Sequence, residues 1–303
     1  MSAGMGMGMG MGMGMGMGMG MGTAGASNAF GAVPADLGLR PLTLQYALGS
    51  NSPASFPKGL LPKAEWKEGA WDLDVLALTY LPEFIRTKWD ELKLPKELLT
   101  WRSRDDKVAE DFVMGEIAYL RELMETDRER YMAEIVFQHD NAPGYWSALM
   151  ALTPGQNKHS LILINLAVRI GQIVAAQYKW EFNRTRPSFV CPGLLPPFGP
   201  PLHKSFPSGH STQSWLLTNL LVKVAPSFKD QLEWLAKRVA MNRERAGVHY
   251  PSDTEAGKFI ADKCVELIES DCPRIRDDLI AKAKAEYLEA AKPTPLTADA
   301  QLP

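Results

Sequence analysis

From Trp71 onward, apolar residues return at three- and four-residue intervals in one segment after another, and the two-residue alternation of a half-buried strand is scarce. A chain patterned this way buries its apolar stripes by packing helix on helix, so an all-α helical bundle is expected. The segments fall at about 71–93, 105–126, 128–138, 144–152, 157–184, 209–224, 228–246, 252–269 and 273–291. The most apolar run, "SLILINLAVRIGQIVAAQY" from Ser160, is interrupted by Asn165, Arg169 and Gln172 and therefore reads as a buried core helix, not a bilayer span. Asp105 or Asp106 is placed to cap the second segment, and Ser252 followed by Glu255 has capping-box spacing. Gly247 is placed to stop the helix that ends in "MNRERA".

Three hundred and three residues, 46% of them hydrophobic, suffice for one sizeable core. The expected organisation is a tail over 1–40, a single helical domain over 41–292 with its motifs within 157–270, and a loose tail over 293–303. Methionine and glycine alternate up to Gly22, and glycine at every second position makes regular structure entropically costly, so the first tail is expected to be disordered. It lacks the basic region and continuous apolar core of a signal peptide, which suggests a cytoplasmic location. A net charge of −2 with interspersed signs argues against nucleic acid or an anionic membrane as partner, but leaves room for a local anion site. Cys191, Cys264 and Cys272 have no metal-like spacing and suggest no disulfide framework, which fits a reducing compartment. The oligomeric state is left open.

Three clusters could do chemistry. In "KWEFNRTRP", Lys179 and Arg186 stand seven apart, so on a helix both cations would project from nearly one face until Pro187 ends it. Arg184, on another face, reads as an ordinary basic residue at a helix end. In "FPSGHSTQSW", Ser208 and Gly209 open a helix whose free N–H groups can receive an oxyanion, with His210 standing over the same place and His203 read as a surface residue upstream. In "NRERAGVHYPSD", Arg243 shares a stripe with Leu232, Leu235, Val239 and Ala246, which sends its guanidinium inward, where it needs an anion. His249 and Asp253 lie four apart across the following turn, so the carboxylate can hold one imidazole nitrogen and leave the other free. Together these residues supply three cations, two neutral donors, an acid or base and an oriented nucleophile, a set suited to a tetrahedral oxyanion such as phosphate. Between Arg186 and Pro207 a long proline-rich loop is expected to shape the mouth of the pocket, with Phe189, Phe198 and Phe206 as candidate walls.

The three stretches resemble the tripartite signature of the type 2 phosphatidic acid phosphatase and vanadium haloperoxidase superfamily: Lys-x6-Arg-Pro, Pro-Ser-Gly-His and Ser-Arg-x5-His-x3-Asp. They occur here as Lys179 to Pro187, Pro207 to His210, and Arg243, His249 and Asp253, with Asn242 where the signature has serine. The resemblance implies a helical bundle in which Lys179, Arg186, Arg243, Ser208 and Gly209 hold phosphate. It further implies that His249 attacks phosphorus to give a phosphohistidine, that Asp253 orients it, and that His210 protonates the leaving group. The expected activity is hydrolysis of a soluble phosphomonoester without a cofactor or metal. Two alternatives stay open. One is a haloperoxidase holding vanadate on the same donors, with His249 as the vanadium ligand and halide and peroxide as substrates. The other is an anion-binding protein without turnover.

Overall fold

The computed structural model describes residues 71–290, and the two expected tails, with the start of the expected domain, lie outside them. Among the described residues, those from Leu73 on belong to one compact unit. Its helices are α1 (Leu73–Leu78), α2 (Leu81–Ile85), α3 (Asp106–Thr126), α4 (Arg128–Asn141), α5 (Gly144–Leu149), α6 (Lys158–Phe182), α7 (Pro187–Val190), α8 (Gly209–Val224), α9 (Lys229–Arg245), α10 (Pro251–Asp271) and α11 (Ala281–Ala290). The last is preceded by a π-helical stretch, Arg274–Ile280, and short 3-10 turns fill Trp89–Glu91 and Lys96–Arg102. No strand occurs among the described residues.

The architecture is built around α8, which packs on α6, α9 and α10. Leu216, Leu217, Leu220, Leu221 and Val224 of α8 enter the main core together with Ile164, Ile170 and Val174 of α6, Val239 of α9 and Ile260 and Ile268 of α10. Packed between three helices, α8 buries its polar residues too, and several of these find partners. Thr218 accepts from Trp146 Nε1 at 2.8 Å and donates to the Leu232 carbonyl at 3.1 Å, and Gln213 Nε2 donates to the Val168 carbonyl at 3.0 Å. Small residues allow the close approach at the N-terminal end of α8. A Cβ on Gly257 of α10 would lie 2.8 Å from the Ser208 carbonyl oxygen and 2.9 Å from the Thr212 nitrogen.

The segment Lys158–Val190 is long and apolar enough to cross a membrane by composition, and 72% of its apolar window is buried inside the protein, in keeping with a core helix. Asp105 caps α3 by accepting from the Lys107 and Val108 amides. Gly247 adopts φ +72° after α9 and returns its amide to the Glu244 carbonyl at 2.7 Å, which ends the helix as expected.

Four expectations need correction. The stretch 71–93 is not one helix: it is broken into α1, α2 and a 3-10 turn, with Pro82 in the first turn of α2. The cap of α10 is not Ser252 with Glu255. That helix begins at Pro251, the Asp253 carboxylate accepts the Tyr250 amide at 3.1 Å, and the Ser252 amide goes instead to Glu116 Oε1 at 2.8 Å. The segment at 157–184 stops at Phe182, where Asn183 turns left-handed with φ 55°. The proline-rich loop is partly helical, because Pro187 and Pro192 each start a short turn, a position where the missing N–H costs nothing.

Candidate active site

The end of α6 decides how the first cluster is presented. Asn183 breaks the helix, and Arg186 is extended (φ −73°, ψ 152°) as its position before Pro187 requires. Lys179 and Arg186 therefore do not share a helical face, but reach the same region from a helix end and from an extended strap. In an extended chain residues two apart point the same way, and Arg184 turns inward along with Arg186.

Lys179 is buried and spends its three N–H groups on the carbonyls of Lys204, Ser205 and Pro207, at 2.9, 2.7 and 2.5 Å. It ties the loop before α8 in place and offers the site its charge. Burial, and then the neighbouring Arg186, press its ammonium well below the ordinary lysine value. Arg186 donates to the Val248 carbonyl at 2.6 Å and the His203 carbonyl at 2.9 Å, and its Nη1 lies 3.4 Å from His249 Nε2. Burial lowers it to about 10. His203 is half-buried against the Arg186 guanidinium, not a free surface residue, and burial followed by Lys179 and Arg186 lowers it to about 3.

The turn before α8 is pinned from both sides. The Ser205 amide donates to the Arg184 carbonyl and the Ser208 amide to the Asp253 carbonyl, each at 2.9 Å. Ser208 is the N-cap of α8, its Oγ accepting from the Ser211 amide at 3.3 Å, which leaves its hydroxyl proton to donate. Gly209 opens the helix, where N–H groups lack intrahelical acceptors and the macrodipole favours negative charge. His210 is buried in the first turn with Nε2 3.1 Å from the Gln138 carbonyl of α4. That contact fixes the proton on Nε2 and frees Nδ1 for proton transfer.

His249 follows the Gly247 break. Its Nδ1 lies 3.0 Å from Asp253 Oδ2, which makes Nδ1 the protonated nitrogen and leaves Nε2 with its lone pair. Burial lowers both His210 and His249 well below the ordinary histidine value, and nearby cations add to it: Arg243 at His210, Arg186 and Lys179 at His249. Asp253 works in the opposite direction on His249. Burial would raise Asp253, but Arg184, His249 and the Ser205 hydroxyl at 2.5 Å outweigh it and hold the carboxyl below its usual range.

Arg243 stands apart from the other cations. It lies on the stripe foreseen from Leu232, Leu235 and Val239 and is 1% exposed, yet its Nε and Nη1 have no hydrogen-bond partner. Burial lowers it to about 9. A buried guanidinium with orphaned donors is costly unless an anion completes it.

Several residues that complete the site escaped the sequence reading. Arg184 is not a solvated helix end. Its Nη1 bonds Asp253 Oδ1 at 2.8 Å and Ser252 Oγ at 2.7 Å, its Nη2 bonds Glu116 Oε2 at 2.6 Å, and its guanidinium lies between the Trp101 and Tyr250 rings. The dipeptide Asn183-Arg184 held the signal: a left-handed stop at Asn183 puts Arg184 and Arg186 on one side of an extended strap. Glu116 lies far away on α3, and nothing local marks it. Asn242, in the signature's serine position, joins α9 to α4 by donating to Gln138 Oε1 at 2.8 Å and Glu134 Oε2 at 3.1 Å. Of the three candidate wall aromatics, Phe206 is fully buried in the core beside Trp101 and Phe182, and Phe189 is 64% exposed. Phe198 alone borders the site, with the Arg243 guanidinium 4.9 Å from its ring centre.

Residues 160–262 match the PAP2 superfamily, a stretch that contains all three motifs. The chain is 26% identical over 136 residues to a non-specific acid phosphatase of Providencia stuartii, covering 43% of this chain and 54% of that protein. It is also 26% identical over 174 residues to an acid phosphatase of Zymomonas mobilis subsp. mobilis, covering 56% of this chain and 64% of that one. The chain thus spans between half and two thirds of the length of these relatives.

Proposed function

We propose that this chain is a phosphomonoester hydrolase of the acid phosphatase kind, acting through a phosphohistidine. The observation that carries the reading is Arg243, a buried guanidinium with two donors that lack acceptors, electrostatically coupled to both Arg186 and His210. A phosphoryl group placed there meets Arg243, the charges of Arg186 and Lys179, the Ser208 hydroxyl and the amide end of α8. His249 Nε2, its lone pair in the ring plane and its other nitrogen fixed by Asp253, attacks phosphorus. The P–O bond to the leaving group breaks as His210 Nδ1 gives that oxygen its proton. Water, losing a proton back to His210, then attacks the phosphohistidine and releases phosphate. His210 needs that proton at the start. A bound dianion beside it opposes the push of Arg243 and favours the imidazolium.

The acid phosphatase relatives favour hydrolysis of small phosphorylated compounds. The two Arg243 donors and the lone pair on His249 Nε2 fit vanadate as well as phosphate, and vanadate held there would supply peroxide activation in place of hydrolysis. A protein that only bound an anion would need the cations and amides but not the Asp253–His249 pair. The test is hydrolysis of p-nitrophenyl phosphate by the purified chain, with rapid acid-free quenching to trap a phosphohistidine. His249→Ala should abolish turnover and trapping together. Halide oxidation with vanadate and peroxide in the absence of phosphatase activity would replace this reading with the haloperoxidase one.

A further inference from the structure

His139 of α4 is absorbed by none of the roles above. Its ring stacks on Phe198 with centroids 4.2 Å apart and planes 17° from parallel. Phe198 in turn packs on Ile135, Ala246 and Val248, and the Arg243 guanidinium lies 4.9 Å from its ring centre. The residue before His139 is Gln138, whose carbonyl holds His210. Through Phe198 and Gln138, His139 therefore stands beside two of the residues of the candidate anion site, Arg243 and His210. Its Nε2 is turned toward Asp140, 3.8 Å from an oxygen of that exposed side chain. Its Nδ1, in another direction in the ring plane, is buried and has no partner, the same condition as Nε and Nη1 of Arg243. An orphaned donor is costly to bury, and Arg243, which acts electrostatically on His139, has the same deficit, so one acceptor placed between them can serve both.

We infer that His139 is a further residue of the anion site, its Nδ1–H donating to an oxygen of the bound phosphoryl group while the stacked Phe198 ring fixes the plane of the imidazole. The inference rests on the anion-site reading proposed above. A neutral imidazole with its proton on Nδ1 suffices for this, and burial, together with Arg243, lowers His139 from the ordinary value and favours that neutral form. Phe198 then acts as a positioning residue, and the proline-rich loop that carries it contributes to anion affinity without touching the anion.

The experiment is titration of the purified full-length chain with inorganic phosphate, followed by calorimetry, so that no turnover is needed. His139→Phe keeps the stack on Phe198 and removes the donor. It should weaken phosphate binding about tenfold or more, as expected for a hydrogen bond to a charged group. His139→Asn, whose side-chain amide nitrogen falls close to the position of Nδ1, should recover most of the affinity. Equal binding by wild type and His139→Phe would overturn the inference, and so would an Asn variant as weak as the Phe variant. A measurement that needs no substitution is the 15N spectrum of the imidazoles: the Nδ1 signal of His139 should move on adding phosphate, and an unmoved signal counts against the proposal. If the wild-type chain binds no phosphate, the anion-site reading itself falls.

Discussion

Arg184→Met isolates the cation that holds the Asp253 carboxylate. Methionine keeps aliphatic bulk between the Trp101 and Tyr250 rings and removes only the guanidinium, which bonds Asp253 and Glu116 where their side chains are 0% and 8% exposed. Removing one partner of a buried ion pair costs about 3–5 kcal/mol, and loss of the cation over the rings adds about 1 kcal/mol. Protonation of the stranded carboxylates trims the upper end. At about 2–4 °C per kcal/mol for a region of this size, the thermal midpoint at pH 7 should fall by about 8–20 °C. The pH dependence supplies the sign. In the wild type the depressed Asp253 contributes stability that is present above the unfolded carboxylate value, about 3.9, and is lost only as pH falls through the lower folded value. In the variant, burial without Arg184 raises the same carboxyl, so the penalty is absent near pH 4 and grows toward pH 7 at up to about 1.4 kcal/mol per pH unit. Paired melts of both proteins at pH 4.5 and pH 7, followed by circular dichroism, measure this difference directly. Midpoints within about 2 °C at pH 7, or the same deficit at both pH values, would refute the argument that Arg184 is the partner of Asp253.

Arg243→Met should separate stability from activity. Relief of a buried guanidinium with two unpartnered donors raises the midpoint by a few degrees, while hydrolysis falls by about 10²-fold or more; a destabilised variant with full activity would count against an anion at that position. Gly257→Ala drives a methyl to within 2.8 Å of the Ser208 carbonyl, so it should cost about 1–3 kcal/mol and weaken phosphate binding, both read in one titration followed by a melt. His203, His210 and His249 have folded values below the unfolded one, so they favour the unfolded state as pH falls below about 6.5, each at up to about 1.4 kcal/mol per pH unit. Glu244, which burial pushes up to about 7, works the other way by a single proton, so the ligand-free chain should lose stability in mild acid and phosphate should restore it. Melts at pH 5 and pH 7, with and without phosphate, give the answer.

Much of the bundle was legible because a long periodic segment between clear stops has few alternatives. The limits of 209–224 were read directly, since Ser208 caps that helix and its apolar pattern runs unbroken to Val224. The break at 71–93 was not, because three short elements with similar apolar spacing look like one helix when read along the chain. The motif residues were legible as types at fixed spacing, but their geometry was not: Lys179 and Arg186 fit a helical face on paper, and Asn183 removes that face by turning left-handed.

The amino-acid order alone determined the helical class, the interior direction of Arg243, and the reach of His249 to Asp253 across four residues, for these depend on local periodicity and turn geometry. Only the tertiary structure decided that Arg184 is the buried partner of Asp253, that Glu116 from a distant helix closes the pair, that Lys179 spends its donors on the loop, and that the Nδ1 of His139, stacked on Phe198, is left without a hydrogen-bond partner. The physical reason is that burial and electrostatic pairing are properties of what surrounds a group, and those surroundings come from segments up to 137 residues apart, from Glu116 to Asp253.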